Sequence, residues 1–175
     1  MRYLAFILAA ITSAEMQAFQ LAPRLVVNIT IDQLRTDYID AFTPLYSSGG
    51  FRRLMRDGLV YDGAGYPFSP VDRASATATL STGTTPYYNG IISNWWLDRE
   101  SLQPVFCVDN DKNAGSPHRL KTSTVGDELK ISTNGAAVVY SFAANRECSI
   151  LAAGHAADGA FWLEKNKEWN GSSYY

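Results

Sequence analysis

Few side chains in this 175-residue chain are equipped for covalent or metal chemistry, and they are scattered. Cys107 and Cys148 form one disulfide in an oxidising compartment or remain two isolated thiols, and sequence alone does not give their separation. His118 lies in the polar stretch DNDKNAGSPHR (109–119), which reads as a solvated loop, and His155 lies in AAGHAAD. Asp32 closes an apolar run, LVVNITI (25–31), and Arg73 leads the hydroxyl-rich stretch RASATAT (73–79). A carboxylate at the C-terminal end of a strand is where α/β sheets gather their functional groups.

These residues need elements to position them. LVVNITI follows Pro23 and reads as a buried central strand of a parallel sheet. FRRLMRD (51–57) has helical apolar spacing, with Gly58 as its stop. Leu59–Tyr61 reads as a short strand. Ser69-Pro70-Val71-Asp72 predicts a helix start, with Ser69 as N-cap, Pro70 in the first turn and Asp72 completing a capping box. That helix runs through Leu80 on small residues and stops at Gly83. Residues 94–97 and 105–108 predict a hairpin. A helix is expected over 124–131, a strand over 136–142, a helix over 146–153 ending at Gly154, and a strand over 160–163. Strands alternating with helices predict an α/β fold with a mostly parallel central sheet flanked by helices. The turn-like Asn170-Gly171 and the aromatic end SSYY (172–175) read as the start of a further strand, in an incomplete domain.

Composition narrows the partners. Hydrophobic residues make up 46% and charged residues 18%, with aromatics at 13%, so a packed core is available and a disordered, charge-rich chain is excluded. Fifteen basic and seventeen acidic residues leave a net charge of −2, which argues against nucleic acid as a partner. Arg2, the nine-residue apolar run Tyr3–Ile11 and the small residues Thr12, Ser13, Ala14 and Ala18 form the pattern of a secretory signal peptide over 1–18. The alternative is an N-terminal helix packed on the domain. The run is too short to span a bilayer, which takes ~20 apolar residues, and no cysteine follows it to carry a lipid anchor. Residues 19–175 then form the exported part, periplasmic or secreted.

Three stretches in order, RLVVNITIDQLRTDYI (24–39), STGTTPYYNGIISNWWLD (81–98), and TVGDELK (124–130) followed by ILAAGHAADGAFW (150–162), resemble the alkaline phosphatase superfamily. The nearest branch is that of the secreted bacterial phosphatases related to type I phosphodiesterases and nucleotide pyrophosphatases. The resemblance implies an α/β sandwich, two zinc ions, and a Thr or Ser nucleophile at a helix N-terminus. There the metal lowers the nucleophile's pKa and the helix favours the phosphoryl anion. Residue by residue, it implies a metal-ligand role for Asp32 and a phosphate-contacting amide in Asn94. His155 falls in a segment without metal ligands and is expected to be structural. Two histidines and one matched aspartate cannot assemble two closed zinc sites, so the chain resembles the first part of a longer domain.

The chain departs from the pattern twice. Counting back from Thr82-Gly83-Thr84-Thr85-Pro86, Arg73 stands where the family has its nucleophile, and Thr77 where it has a histidine. A guanidinium stays protonated and cannot attack phosphorus. Ser75, Thr77 and Thr79 are the remaining hydroxyls, at other angles around the helix and deeper along it. Before ILAAGH, a Lys-Asp-Arg element of the family aligns with Asn145-Arg146-Glu147, which replaces both clamping cations unless Arg146 serves in a register shifted by one. Arg73 is then expected to take over the lost metal's charge by pairing with a partly buried Asp32. Three readings stand: a degenerate, non-catalytic phosphatase-like domain; an active zinc-dependent phosphomonoesterase or phosphodiesterase when full length; and an α/β interaction domain. Any ligand is a phosphate ester or another anion.

Overall fold

A computed structural model describes residues 23–110 and 115–175. The expected signal peptide over 1–18 lies outside the described residues.

The centre is a pair of small-faced helices against a sheet. Helix α3 (Arg73–Thr82) buries Ala74, Ser75, Ala78 and Ser81, a stripe at helical spacing whose small side chains permit close approach. It packs on α6 (Arg146–Ala153), which buries Ile150 and Leu151, and Ser81 Oγ donates to the Leu151 carbonyl at 2.8 Å. Helix α6 is the crossover between the parallel strands β3 (Tyr140–Ala143) and β4 (Gly159–Leu163). Strand β5 (Trp169–Gly171) adds antiparallel to β4. A separate hairpin pairs β1 (Trp95–Leu97) with β2 (Pro104–Phe106), and α5 (Val125–Ser132) precedes β3. The core is formed by Ala74, Ala78, Ile91, Cys107, Val108, Leu120, Ile150, Leu151 and Trp162. Three outlying helices, α1 (Thr36–Ala41), α2 (Phe51–Asp57) and α4 (Pro86–Asn89), complete the described helices, with a 3-10 turn at Thr43–Leu45.

The α/β architecture and its β3–α6–β4 unit agree with the sequence pattern, and the structure departs from that pattern in four respects. First, 25–31 is unladdered: a strand buried in a parallel sheet needs both faces covered, yet Leu25, Val27 and Ile29 are exposed and no described strand pairs with them. Leu59–Tyr61 likewise has no partner. Second, α3 starts three residues later than expected. Asp72, not Ser69, is its N-cap, because the Asp72 carboxylate accepts from Ser75 N at 2.9 Å and Ser75 Oγ accepts from Asp72 N at 3.0 Å. Third, β3 begins only at Tyr140, because the Asp158 carboxylate takes the Val139 N–H at 2.7 Å. Fourth, Asn170-Gly171 lies in β5 instead of a turn. Gly171 is needed for contact, since a Cβ there would meet the Phe161 ring at 3.2 Å. The true turn is at 164–168, where Lys167 has φ +65° and its N–H reaches the Glu164 carbonyl. Helices α1 and α4 are not among the elements the sequence pattern predicts. Among the described residues no helix is long and apolar enough to cross a membrane.

Candidate functional site

The N-terminus of α3 organises the site. An α-helix leaves its first N–H groups without partners, and here two of them are met by side chains, one from the N-cap and one from a distant segment. The Ala74 N–H donates to Asn94 Oδ1 at 3.1 Å, and the Ser75 N–H goes to Asp72. The Asp72 carboxylate also accepts from Ser93 Oγ at 2.7 Å and from the Asn94 N–H. Burial alone would push Asp72 up, but these donors outweigh it and hold the carboxyl below its usual range. The capping fixes Asn94 with its oxygen toward the helix, so its NH2 group is the part left to donate.

Arg73 is the first residue of α3, with its side chain between two carboxylates. Nε donates to Asp32 Oδ2 at 3.3 Å and Nη1 to Glu147 Oε1 at 3.4 Å. The two partners differ in setting: the Asp32 side chain is 61% exposed and the Glu147 side chain 9%. The expectation of a partly buried Asp32 is corrected on this point, and the buried carboxylate that Arg73 compensates is Glu147. Burial opposes the charge on Arg73, but the bonds to Asp32 and Glu147 prevail and raise its pKa further. Sequence reasoning assigned Glu147 only as a lost cation. Its signal as a partner was its place in the first turn of α6, whose N-terminal end faces α3.

The hydroxyls considered as alternatives are committed to packing. Ser75 is fully buried within the capping box. The Thr77 hydroxyl points to Cys148 Sγ at 3.6 Å. Cys148 is half-buried and Cys107 buried, both thiols are free, and burial pushes both pKa values up, so the disulfide alternative gives way to two separate thiols. A cavity of about 1030 Å³ opens beside this cluster, bordered by Asp32, Tyr66, Arg73, Thr77, Phe142 and Cys148. The shifted register for Arg146 finds no support: its guanidinium bonds Asp109 Oδ1 at 2.6 Å and lies over the Phe106 ring. Asn145 borders the cavity as the N-cap of α6. Neither histidine borders that cavity. His118 is exposed beside Ser116, and His155 is bonded to Asp127 and Leu120.

The donor set does not fit a two-zinc centre. Among the described residues, no group of three or more His, Cys, Asp or Glu side chains is placed to hold a metal ion. The Asp32 carboxylate, implied as a ligand, is turned to a guanidinium.

Comparisons with known proteins place this geometry. Residues 26–175 match the family model of the type I phosphodiesterase / nucleotide pyrophosphatase. Alkaline phosphatase PhoV of Synechococcus elongatus is 37% identical over 152 residues, 81% of this chain and 28% of PhoV. A protein of Myroides odoratus named calcium-transporting ATPase is 34% identical over 87% of this chain and 30% of its own. The crystal structure of wild-type alkaline phosphatase PafA superposes with a TM-score of 0.84 at 31% identity, covering 87% of this chain and 32% of PafA. The chain thus spans about a third of the length of these relatives. A further PafA structure carries substitutions at a threonine and an asparagine, which stand as far apart in sequence as Arg73 and Asn94 do here. It is also substituted at a lysine and an arginine with one residue between them, the spacing of Asn145 and Glu147.

Proposed function

The chain belongs to the type I phosphodiesterase / nucleotide pyrophosphatase family, within the alkaline phosphatase superfamily, and from that premise we propose that it is an exported member whose site binds an oxyanion without hydrolysing it. The observation that carries the reading is Arg73 at the head of α3, fixed between Asp32 and Glu147. A nucleophile at this position must lose a proton and attack; a guanidinium does neither at any ordinary pH. Its N–H groups not engaged by Asp32 and Glu147 can still hold a phosphate ester or another oxyanion, with the Asn94 NH2 group as a second donor. Export belongs to the same reading and is supported by Arg2 and the apolar run over 3–11.

One observation favours a second reading. Relatives at 31–37% identity carry the name alkaline phosphatase, which supports a zinc-dependent phosphomonoesterase or phosphodiesterase when full length, with zinc donors beyond the described residues. The experiment that separates the two is turnover of 4-nitrophenyl phosphate and its bis-ester by the full-length protein, with zinc and with chelator. The first reading expects no turnover in either condition, and binding of inorganic phosphate in the presence of chelator that is lost in Arg73→Ala. Zinc-stimulated turnover abolished by Asp32→Asn establishes the second reading instead.

A further inference from the structure

Away from this site, one buried carboxylate gathers an unusual number of donors. Asp127, in the first turn of α5, accepts the N–H groups of Thr124, His155 and Ala156, each at 2.8 Å, and His155 Nδ1 at 3.2 Å. The node ties the start of α5 to the turn that follows α6. Gly154 makes that turn possible, with φ +82° and no room for a Cβ against Thr124 and Asp127. His155 extends the tie in the other direction: its Nε2 lies 3.0 Å from the Leu120 carbonyl, in the strap Pro117–Lys121.

Both ring nitrogens of His155 therefore face acceptors, a carboxylate oxygen and a carbonyl oxygen. A neutral imidazole carries one N–H and a lone pair, so it satisfies one of them and repels the other; the imidazolium donates to both. We infer that His155 is a pH-operated latch, closed as the imidazolium across Asp127 and Leu120, whose deprotonation releases the Leu120 carbonyl. The stronger partner, Asp127, keeps the remaining N–H. The strap ends at a shallow cavity of about 640 Å³ lined by Lys121, Lys130, Asn134 and His155.

The surrounding charges are few. Asp127 is bonded to the ring, Lys121 and Lys130 line the same shallow cavity as His155, and Lys130 is paired with Asp158 at 2.8 Å. The Tyr175 hydroxyl, its pKa pushed up by burial, donates to the Gly154 carbonyl at 2.7 Å. The Asp127 bond raises the His155 pKa, burial lowers it, and the Leu120 carbonyl raises it, with a net rise. A group with a raised folded pKa gives its full stabilisation below its unfolded value of about 6.5 and loses it as pH rises through the folded value. The latch thus opens on the alkaline side.

The test is an NMR pH titration of the full-length protein from pH 5 to 9, following the His155 ring and the Leu120 carbonyl carbon, with fluorescence of the tryptophans in parallel. Trp96 reports on the strap because the Arg119 guanidinium lies 5.8 Å from its ring centroid. The expected result is one transition with a midpoint above 6.5, shared by ring and carbonyl, retained in His118→Gln and lost in His155→Gln. A His155 midpoint at or below 6.5, or a Leu120 carbonyl that does not follow the ring, overturns the inference in the unaltered protein, whatever the variants do.

Discussion

Three carboxylates around two cations decide how single residues behave. Arg73 is 36% exposed and Asp32 61%, so their bond resembles a surface pair, and Asp32→Ala is expected to change stability by no more than about 0.5 kcal/mol. Arg73→Ala leaves the Glu147 carboxylate buried without its cation. The expected loss is about 1–3 kcal/mol, below the value for a fully buried pair because Arg73 is partly solvated. Removing both, as Arg73→Ala with Glu147→Ala, is expected to cost less than the sum of the singles, and denaturant melts of the four proteins measure that coupling. Asp127 sets the acid limit. Burial raises its pKa, but the His155 side chain and the backbone donors of Thr124, Ala156 and His155 hold it far below the usual carboxylate range. Its contribution is complete above the unfolded value of about 3.9 and declines as pH falls below it. Chemical melts from pH 5 to 2 should therefore show a steep loss of stability that is smaller in Asp127→Ala, itself about 3 kcal/mol less stable at neutral pH.

At the scale of elements, helices that carry their own stop and start chemistry were legible. Phe51–Asp57, Val125–Ser132 and Arg146–Ala153 follow from apolar spacing with Gly58, Thr124 and Gly154 at their ends. The start of α3 was not legible, because Asp72 wins the cap through donors from Ser93 and Asn94, some twenty residues away. For the same reason Asp72→Ala is expected to cost about 2 kcal/mol, the upper end for an N-cap, and to loosen Asn94 with it. Thermal melts of Asp72→Ala beside Ser69→Ala check the assignment: Ser69→Ala should be near neutral. The candidate site was legible in its parts, Asp32, Arg73 and Asn94, because the motif order placed them. The link from Arg73 to Glu147 was not, since it depends on two helix starts facing each other across 74 residues of sequence.

Across the whole molecule, apolar surface is left outside. Tyr140, Phe142 and Trp169 are exposed, Phe142 stacks on Phe161 at 5.3 Å and meets Trp169 edge-on at 6.1 Å, and Val26, Val27 and Ile31 are exposed beside the cavity of about 1030 Å³ that Tyr140 and Phe142 also border. The strand pattern of 25–31 was read correctly as apolar and β-branched, but a ladder is a property of two segments, and periodicity in one cannot supply the other. Exposed patches of this kind drive association. The 175-residue chain alone is therefore expected to self-associate at micromolar concentration in sedimentation velocity, and Phe142→Lys to shift it toward monomer.

The bridge made by Arg73 also constrains the route by which such a site arises. The resemblance implies a hydroxyl at position 73 and a cation at position 147 in related chains. A glutamate arriving first at 147 would be a buried anion with no counterpart. An arginine arriving first at 73 finds Asp32 already in reach. If the two positions differ from the family pattern, the tolerable order is Arg73 and then Glu147, and a hydroxyl residue placed at 73 alone strands the Glu147 carboxylate, so the pair can only be exchanged together.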